Sequence, residues 1–266
     1  MADVAAPAPA KGTQPEGTHG EADASRKVRE MFTQIAPRYD LLNHLLSLDL
    51  DHLWRKRAAR RLRPILQRRD AMVVDLCCGT GDLALALARL GPASVIGGDF
   101  SHAMLVRARA KGAKSQRVPS HSGLSGPPAM PFFEADALRL PFADSSFDLV
   151  TTAFGFRNLV NYLTGLREMQ RILKPGGTIA ILEFTEPPDG FLGDVYRWYF
   201  RSVLPRIGGF ISGNSAAYTY LPKSVLRFFR PPELAALMAS VGYESVDYKV
   251  WTFGTVALHT GMRPPC

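Results

Sequence analysis

The sequence predicts an α/β fold in which parallel strands alternate with helices. Three observations carry that reading. Residues 73–100, VVDLCCGTGDLALALARLGPASVIGGDF, run as strand, glycine turn, helix and second strand. Short apolar runs recur at 132–137, 147–154 and 178–184, with helical periodicity between them, the alternation that places helices on both faces of a sheet. At 266 residues with 46% hydrophobic content, the chain supports one large core but not two large domains.

The first 24 residues are Ala/Pro/Gly-rich, polar and without hydrophobic periodicity, and are expected to form a disordered tail. They lack the cationic start and apolar core of a secretory signal. They also lack the arginines of a mitochondrial presequence and carry Asp3, Glu16, Glu21 and Asp23. Residues 25–70 are expected to form a basic amphipathic helical lid. Between Ser25 and Arg69, twelve basic residues stand against four acidic ones, a net +8 that equals the charge of the whole chain. Phe32, Tyr39, Leu45 and Trp54 are interleaved with them. A solvated helix face is the plain reading, and an anionic membrane surface is the functional one. Nucleic acid is set aside because no RNA-binding signature accompanies the charge. No apolar run reaches the roughly 18 residues that span a bilayer. The expected location is cytoplasmic, peripheral on the inner face of the cell membrane.

The first strand ends in Asp75, the turn is Gly79-Thr80-Gly81, Asp82 opens the helix, and the second strand closes on Asp99-Phe100. Ligands of open α/β sheets sit at these carboxyl ends, where glycine loops let backbone approach them. Gly79, Gly81 and Ala84 also satisfy a dinucleotide pattern, with Asp99 near the distance for a ribose hydroxyl. A pyrophosphate at the helix N-terminus would be repelled by Asp75 and Asp82, against the dipole that otherwise favours it. S-adenosylmethionine (SAM), with its ammonium and sulfonium, suits those carboxylates. A SAM methyltransferase is therefore preferred to a nicotinamide oxidoreductase, and both to an idle scaffold that binds membranes or partners through residues 25–69.

Downstream, His102–Ala113 reads as a helix and Lys114–Pro131 as a Ser/Pro/Gly-rich loop. Strands follow at Phe132–Ala137, with Asp136 near its end, and at Phe147–Phe154, which enters Gly155-Phe156-Arg157-Asn158. A helix over Leu163–Leu173 stops at Lys174-Pro175-Gly176-Gly177 before a strand at Thr178–Phe184. An aromatic stretch over Phe191–Phe229 is expected to cap the sheet. The helix Pro231–Val241 and a hairpin of Ser245–Trp251 with Gly254–Thr260 close the domain. Three cysteines, two of them adjacent, exclude a disulfide framework. Neither they nor the six scattered histidines form a metal set, so no metal is expected.

The chain resembles the ubiquinone/menaquinone C-methyltransferase family of the UbiE/MenG type, from about Val28 to Gly261. The matching segments are MFTQIAPRYDLLNHLLSLDLDHLWR, DLCCGTGD, DALRLPFADSSFDLVTTAFGFRN, LREMQRILKPGGTIAILEF, GNSAAYTYLPKS and TFGTVALHTG. The resemblance implies a class I SAM-dependent methyltransferase domain over 71–261, with a mostly parallel seven-stranded sheet and helices on both faces. It implies C-methylation of a polyprenylated quinol, demethylmenaquinol or the ubiquinone precursor. It places Thr80 with the Gly79 and Gly81 backbone at the methionine end of SAM, Asp99 on the ribose hydroxyls, and Asp136 with Ala137 at the adenine; Asp75 and Phe100 are also expected to bind the cofactor. Ala153, where some relatives carry serine, is a further SAM contact, and Cys77 stands where the general methyltransferase loop has glycine. Arg157 is expected to stabilise a quinol phenolate, with Asn158 orienting it or donating a second hydrogen bond. Tyr39, Asn214 and Tyr218 are the expected acceptor contacts. A homodimer is admitted, but the sequence does not fix the oligomeric state, the quinone or its prenyl length.

Overall fold

The computed structural model describes residues 12–40, 43, 47, 49–116, 130–186, 190, 224–225 and 227–265. Its centre is a seven-stranded sheet in the order β3-β2-β1-β4-β5-β7-β6. The strands are β1 (Met72–Leu76), β2 (Ser94–Asp99), β3 (Phe132–Glu134), β4 (Phe147–Ala153), β5 (Leu173–Phe184), β6 (Glu244–Trp251) and β7 (Val256–Met262). The first five are parallel, whereas β7 runs antiparallel between β5 and β6. The helices are α1 (Glu21–Ile35), α2 (Leu50–Arg61), α3 (Arg63–Leu66), α4 (Asp82–Ala88), α5 (His102–Gln116), α6 (Tyr162–Ile172) and α7 (Pro231–Val241).

Neighbouring strand residues bury into opposite cores, as the period of two requires. Val73, Leu149, Ala180 and Leu182 pack with α2, α4 and α5, whereas Val74, Val150, Ile179 and Ile181 pack with α6 and α7. Both faces are thus covered by helices, which is why these strands read as continuous apolar runs. The tips of β1 and β2 are held together by the register Asp75↔Gly97 and Leu76↔Gly98. Phe132 and Phe133 fill the space that side chains at those glycines would need. A Cβ on Gly97 would lie 2.6 Å from the Phe132 ring, and one on Gly98 would lie 2.3 Å from the Phe133 ring.

The structure moves several sequence boundaries. Residues 21–24, expected in a disordered tail, begin α1. Gly12 and Thr13 donate backbone hydrogen bonds to Val160 and Leu159 (3.1 and 2.8 Å). Thr178 is not the start of its strand. The Lys174-Pro175-Gly176-Gly177 segment ends α6 as expected but already belongs to β5, whose pairing with β4 shifts register between Phe147 and Leu149. Helix α5 extends to Gln116, and the remainder of the expected surface loop, 117–129, lies outside the described residues, as does most of the aromatic stretch. No described helix is long and apolar enough to cross a membrane.

Gly98→Ala should therefore force a shift at Phe133 and cost about 1–3 kcal/mol of stability. Urea unfolding of wild type and variant measures it. An unchanged midpoint would mean that the tips of β2 and β3 yield freely.

Candidate active site

A cleft of about 690 Å³, open at its mouth, lies over the carboxyl ends of β1, β2 and β4. Gly79 (φ +55°) and Gly81 (φ +86°) turn the chain from β1 into α4 in a conformation that L side chains rarely adopt. Cys77 shares that region at φ 52°, a strained position for a residue with a side chain, and explains why glycine suits this loop. The Gly155 loop after β4 closes on it, for a Cβ on Gly155 would lie 2.4 Å from Cys77 Cβ.

Asp99 organises the centre. Its Oδ2 accepts from the Gly79 amide (2.8 Å) and its Oδ1 from the Ser101 amide (2.9 Å). Burial outweighs these bonds and pushes its carboxyl up to about 6. Each oxygen retains a lone pair for a ligand hydroxyl. Asp136 accepts from the Leu138 amide (2.9 Å) and lines the cleft beside Ala137. Phe100 lines it too, with the Phe32 ring 6.3 Å away and the Arg29 guanidinium 5.7 Å from the Phe100 centroid.

Of the residues expected to hold SAM, Gly79, Asp99, Phe100, Asp136 and Ala137 line the cleft. Asp75, Thr80, Gly81 and Ala153 are not among its lining residues. Asp75 is buried behind the turn, where its Oδ1 accepts from the Thr151 hydroxyl (2.7 Å) and its Oδ2 has no hydrogen-bond partner. Burial raises it to about 7, partly offset by Thr151. Thr80 instead donates to Asp40 (2.6 Å) and accepts from Lys111 (2.8 Å). A Cβ on Gly81 would meet Phe132 and Ala108 at 3.1 and 3.2 Å, so that glycine allows close packing of α5 and β3.

The N-terminal segment forms a strap across the cleft, contributed by Ser25, Val28, Phe32 and Tyr39. At one end Asn161 caps α6 and donates to Glu21 (2.9 Å). At the other, Lys111 joins Asp40 (2.9 Å) and Asp82 (2.6 Å), and Thr33 lies 3.1 Å from Ser101. This latch sets Tyr39 against the turn, within 3.5 Å of where a Gly79 Cβ would stand. Sequence reading missed Asp40 and Lys111, which lie 71 positions apart in unrelated elements.

Asn158 lines the cleft, whereas Arg157 lies behind the wall made by Phe154 and Gly155. Arg157 is 4% exposed and forms an ion pair with Glu183 (2.6 Å), a buried carboxylate at the end of β5. Its Nη1 also donates to the Phe154 carbonyl (2.5 Å). Arg157 is thus a fixed cation whose charge is compensated by Glu183. Burial raises the Glu183 carboxyl despite Arg157. Arg55, also buried, pairs with Asp51 and lies 5.4 Å from the Phe154 centroid, while Arg157 lies 5.3 Å from that of Phe184. The two rings are 4.5 Å apart, so an aromatic wall stands between two buried ion pairs. Asn214 and Tyr218 lie outside the described residues.

The electrostatics discriminate between ligands. The half-buried Cys77 thiol, on the cleft wall, is pushed well above its usual range by desolvation and then by Asp99, Asp75 and Asp136. Two carboxylates, Asp99 and Asp136, line the cleft where a pyrophosphate would have to lie, and a cationic ligand fits. Asp82 adds less than its position suggests, because Lys111 engages it. The doubly covered sheet with an antiparallel β7 and this acidic, glycine-turned cleft define a class I SAM-dependent methyltransferase. Solved structures agree at the level of fold. A SAM-dependent methyltransferase from Thermotoga maritima superposes with a TM-score of 0.61 at 19% identity, covering 89% of this chain and 99% of that one. The chain belongs to the ubiE/COQ5 methyltransferase family, whose model matches residues 21–263. It is 50% identical over 235 residues to a demethylmenaquinone methyltransferase of Thermus thermophilus, covering 88% of this chain and all of that protein. It is 46% identical to the Deinococcus radiodurans demethylmenaquinone methyltransferase, covering 90% and 93%. Identity is 43% to a ubiquinone/menaquinone biosynthesis C-methyltransferase UbiE of Geobacter sulfurreducens, covering 91% and 90%.

Lys111→Ala should release the strap and weaken SAM binding about fivefold, the scale of one partly exposed ion-pair network. Titration calorimetry reads the Kd directly, and an unchanged value would show that the latch does not hold the strap over SAM.

Proposed function

We propose that this protein transfers the methyl of SAM to a ring carbon of a polyprenylated quinol, with demethylmenaquinol the first acceptor to test and the ubiquinone precursor the second. The observation that carries the acceptor class is near full-length identity to proteins named for that reaction, two of the three for demethylmenaquinone. The aromatic wall of Phe154 and Phe184 beside the cleft suits a flat ring with an apolar tail.

Bound SAM supplies an electrophilic methyl at its sulfonium. The chain positions and polarises. Asp99 takes the ribose hydroxyls on its remaining lone pairs, Asp136 and Ala137 border the adenine, and Gly79 lets the backbone approach the methionine end. Asp75 acts from behind the turn through its field rather than by contact. Tyr39, held over the turn by the latch, shuts out water. The acceptor carbon becomes nucleophilic as the neighbouring hydroxyl loses its proton to water, since a guanidinium with a pKa above roughly 12 is a poor base. Arg157, fixed by Glu183, stabilises the phenolate through the wall, and Asn158 at the cleft surface donates to it. A membrane-borne acceptor is reached by peripheral contact with the inner face of the cell membrane.

Labelled SAM, assayed anaerobically with both quinols, should place label on the ring carbon of at least one. Asn158→Ala should lower kcat on the order of 100-fold, the size of a lost preorganised donor. Bound SAM without label on either quinol would remove the acceptor assignment.

Asp99 gives a pH dependence with a definite sign. Its carboxyl titrates at about 6 in the ligand-free protein, and only the ionised form accepts both ribose hydroxyls. SAM affinity should therefore rise as pH increases through 6 and weaken about tenfold per unit well below it. Calorimetry from pH 5 to 8 on wild type and Asp99→Asn tests this, the variant being weaker but lacking that step.

A further inference from the structure

Helix α2 divides its charge unequally. Its one carboxylate, Asp51, is buried with Arg55 and accepts from Ser47 (2.8 Å). Lys56, Arg57, Arg60 and Arg61 are all exposed, and none forms an ion pair among the described residues. They share the outward face with Leu53, which is 40% exposed, while Trp54, Ala58 and Ala59 pack inward. The outward face thus presents four uncompensated cations and an apolar side chain.

A second apolar element is fixed beside it. Trp54 donates to the Thr252 hydroxyl (2.8 Å), which brings the β6–β7 connection against α2. The next residue, Phe253, is 76% exposed, and both Thr252 and Phe253 have left-handed backbone (φ 50° and 54°). A bulky side chain disfavours that conformation, yet here it holds an aromatic ring in water. Two of the five large exposed hydrophobic residues of the described chain, Leu53 and Phe253, are therefore brought to this edge, beside the cations. Cations flanking exposed apolar side chains are the complement of an anionic headgroup layer over hydrocarbon. A nucleic acid would use the charge but give Phe253 and Leu53 no hydrocarbon to enter.

We infer that the edge formed by Leu53, Lys56, Arg57, Arg60 and Arg61 of α2 with Phe253 is a docking surface for an anionic lipid bilayer. This deepens the quinol reading by stating how the protein meets its acceptor. The inward side of the same helix carries Trp54 and Arg55, both packed on Phe154 of the cleft wall. Docking here therefore brings the bilayer to within one helix of that wall.

Cosedimentation of the full chain with vesicles tests the surface, using phosphatidylcholine alone and phosphatidylcholine mixed with phosphatidylglycerol. Wild type should bind the anionic vesicles selectively and release them as salt rises. Lys56→Glu with Arg57→Glu should lose tenfold or more, on the order of the effect of removing surface-facing charges. Phe253→Ser should lose about tenfold through its lost apolar insertion. Circular dichroism and methyl transfer to a short-tailed, water-soluble quinol should be unchanged in both variants. Equal binding to neutral vesicles, full binding by the charge-reversed variant, or retention on an RNA oligonucleotide without vesicle binding would overturn the proposal. If wild type fails to methylate the soluble quinol, the acceptor reading falls, while vesicle binding still decides the surface.

Discussion

The site depends on one buried carboxylate. Asp99, at the end of β2, holds the Gly79 amide of the neighbouring loop and the Ser101 amide of its own. The first bond ties the tip of β1 to that of β2 across the cleft, and the second fixes the carboxylate on its own loop. They do not cover the cost of removing the charge from water, which is why its carboxyl stands near 6. A ligand offering hydroxyl donors would supply the missing interactions. Gly97 and Gly98 let Phe132 and Phe133 pack against the strand beneath it, which keeps water from that side.

Two buried guanidiniums beside the site are paired. Arg55 and Arg157 are both buried, each bound to a carboxylate and each near a face of the Phe154–Phe184 wall. Breaking either pair would leave an uncompensated buried ion, which is more costly than the pair itself. The latch of Asp40, Lys111 and Asp82 lies at intermediate exposure, where binding and release are nearly balanced. The rigid pairs thus flank the wall, while the weaker network closes the strap.

The alternation of elements was legible because each depends on local pattern: β-branched runs, a glycine turn and helix stops. Asp99 and Asp136 were legible for the same reason, since they lie at or just beyond strand ends where an open α/β sheet binds its ligands. Asp75 and Arg157 were visible as residues but not as environments. Nothing local shows that Thr151, 76 positions away, takes up one oxygen of Asp75, or that Glu183 neutralises Arg157. Charge summed over residues 25–69 suggested a uniformly basic lid, whereas burial divides it and removes Arg55 from the surface. Residues 12–24 read as tail because backbone pairing with Leu159 and Val160 needs no particular side chain.

The position of β7 has a consequence for how the protein is made. Synthesis supplies β1 through β5 in order, and these can pair as they appear except on the outer side of β5. That side waits for Val256–Met262, which must insert before β6, although made earlier, has any place in the sheet. Arg263 then fastens the join, exchanging backbone bonds with Gly176 and Gly177 and donating to the Gln170 and Arg171 carbonyls. Until the ribosome reaches this segment, the nascent chain carries twelve residues of largely apolar strand with an open edge, the kind of template on which chains pair with one another. The unpaired outer edge of β5 is thus where this fold is open to self-association, and the pairing of β7 closes it.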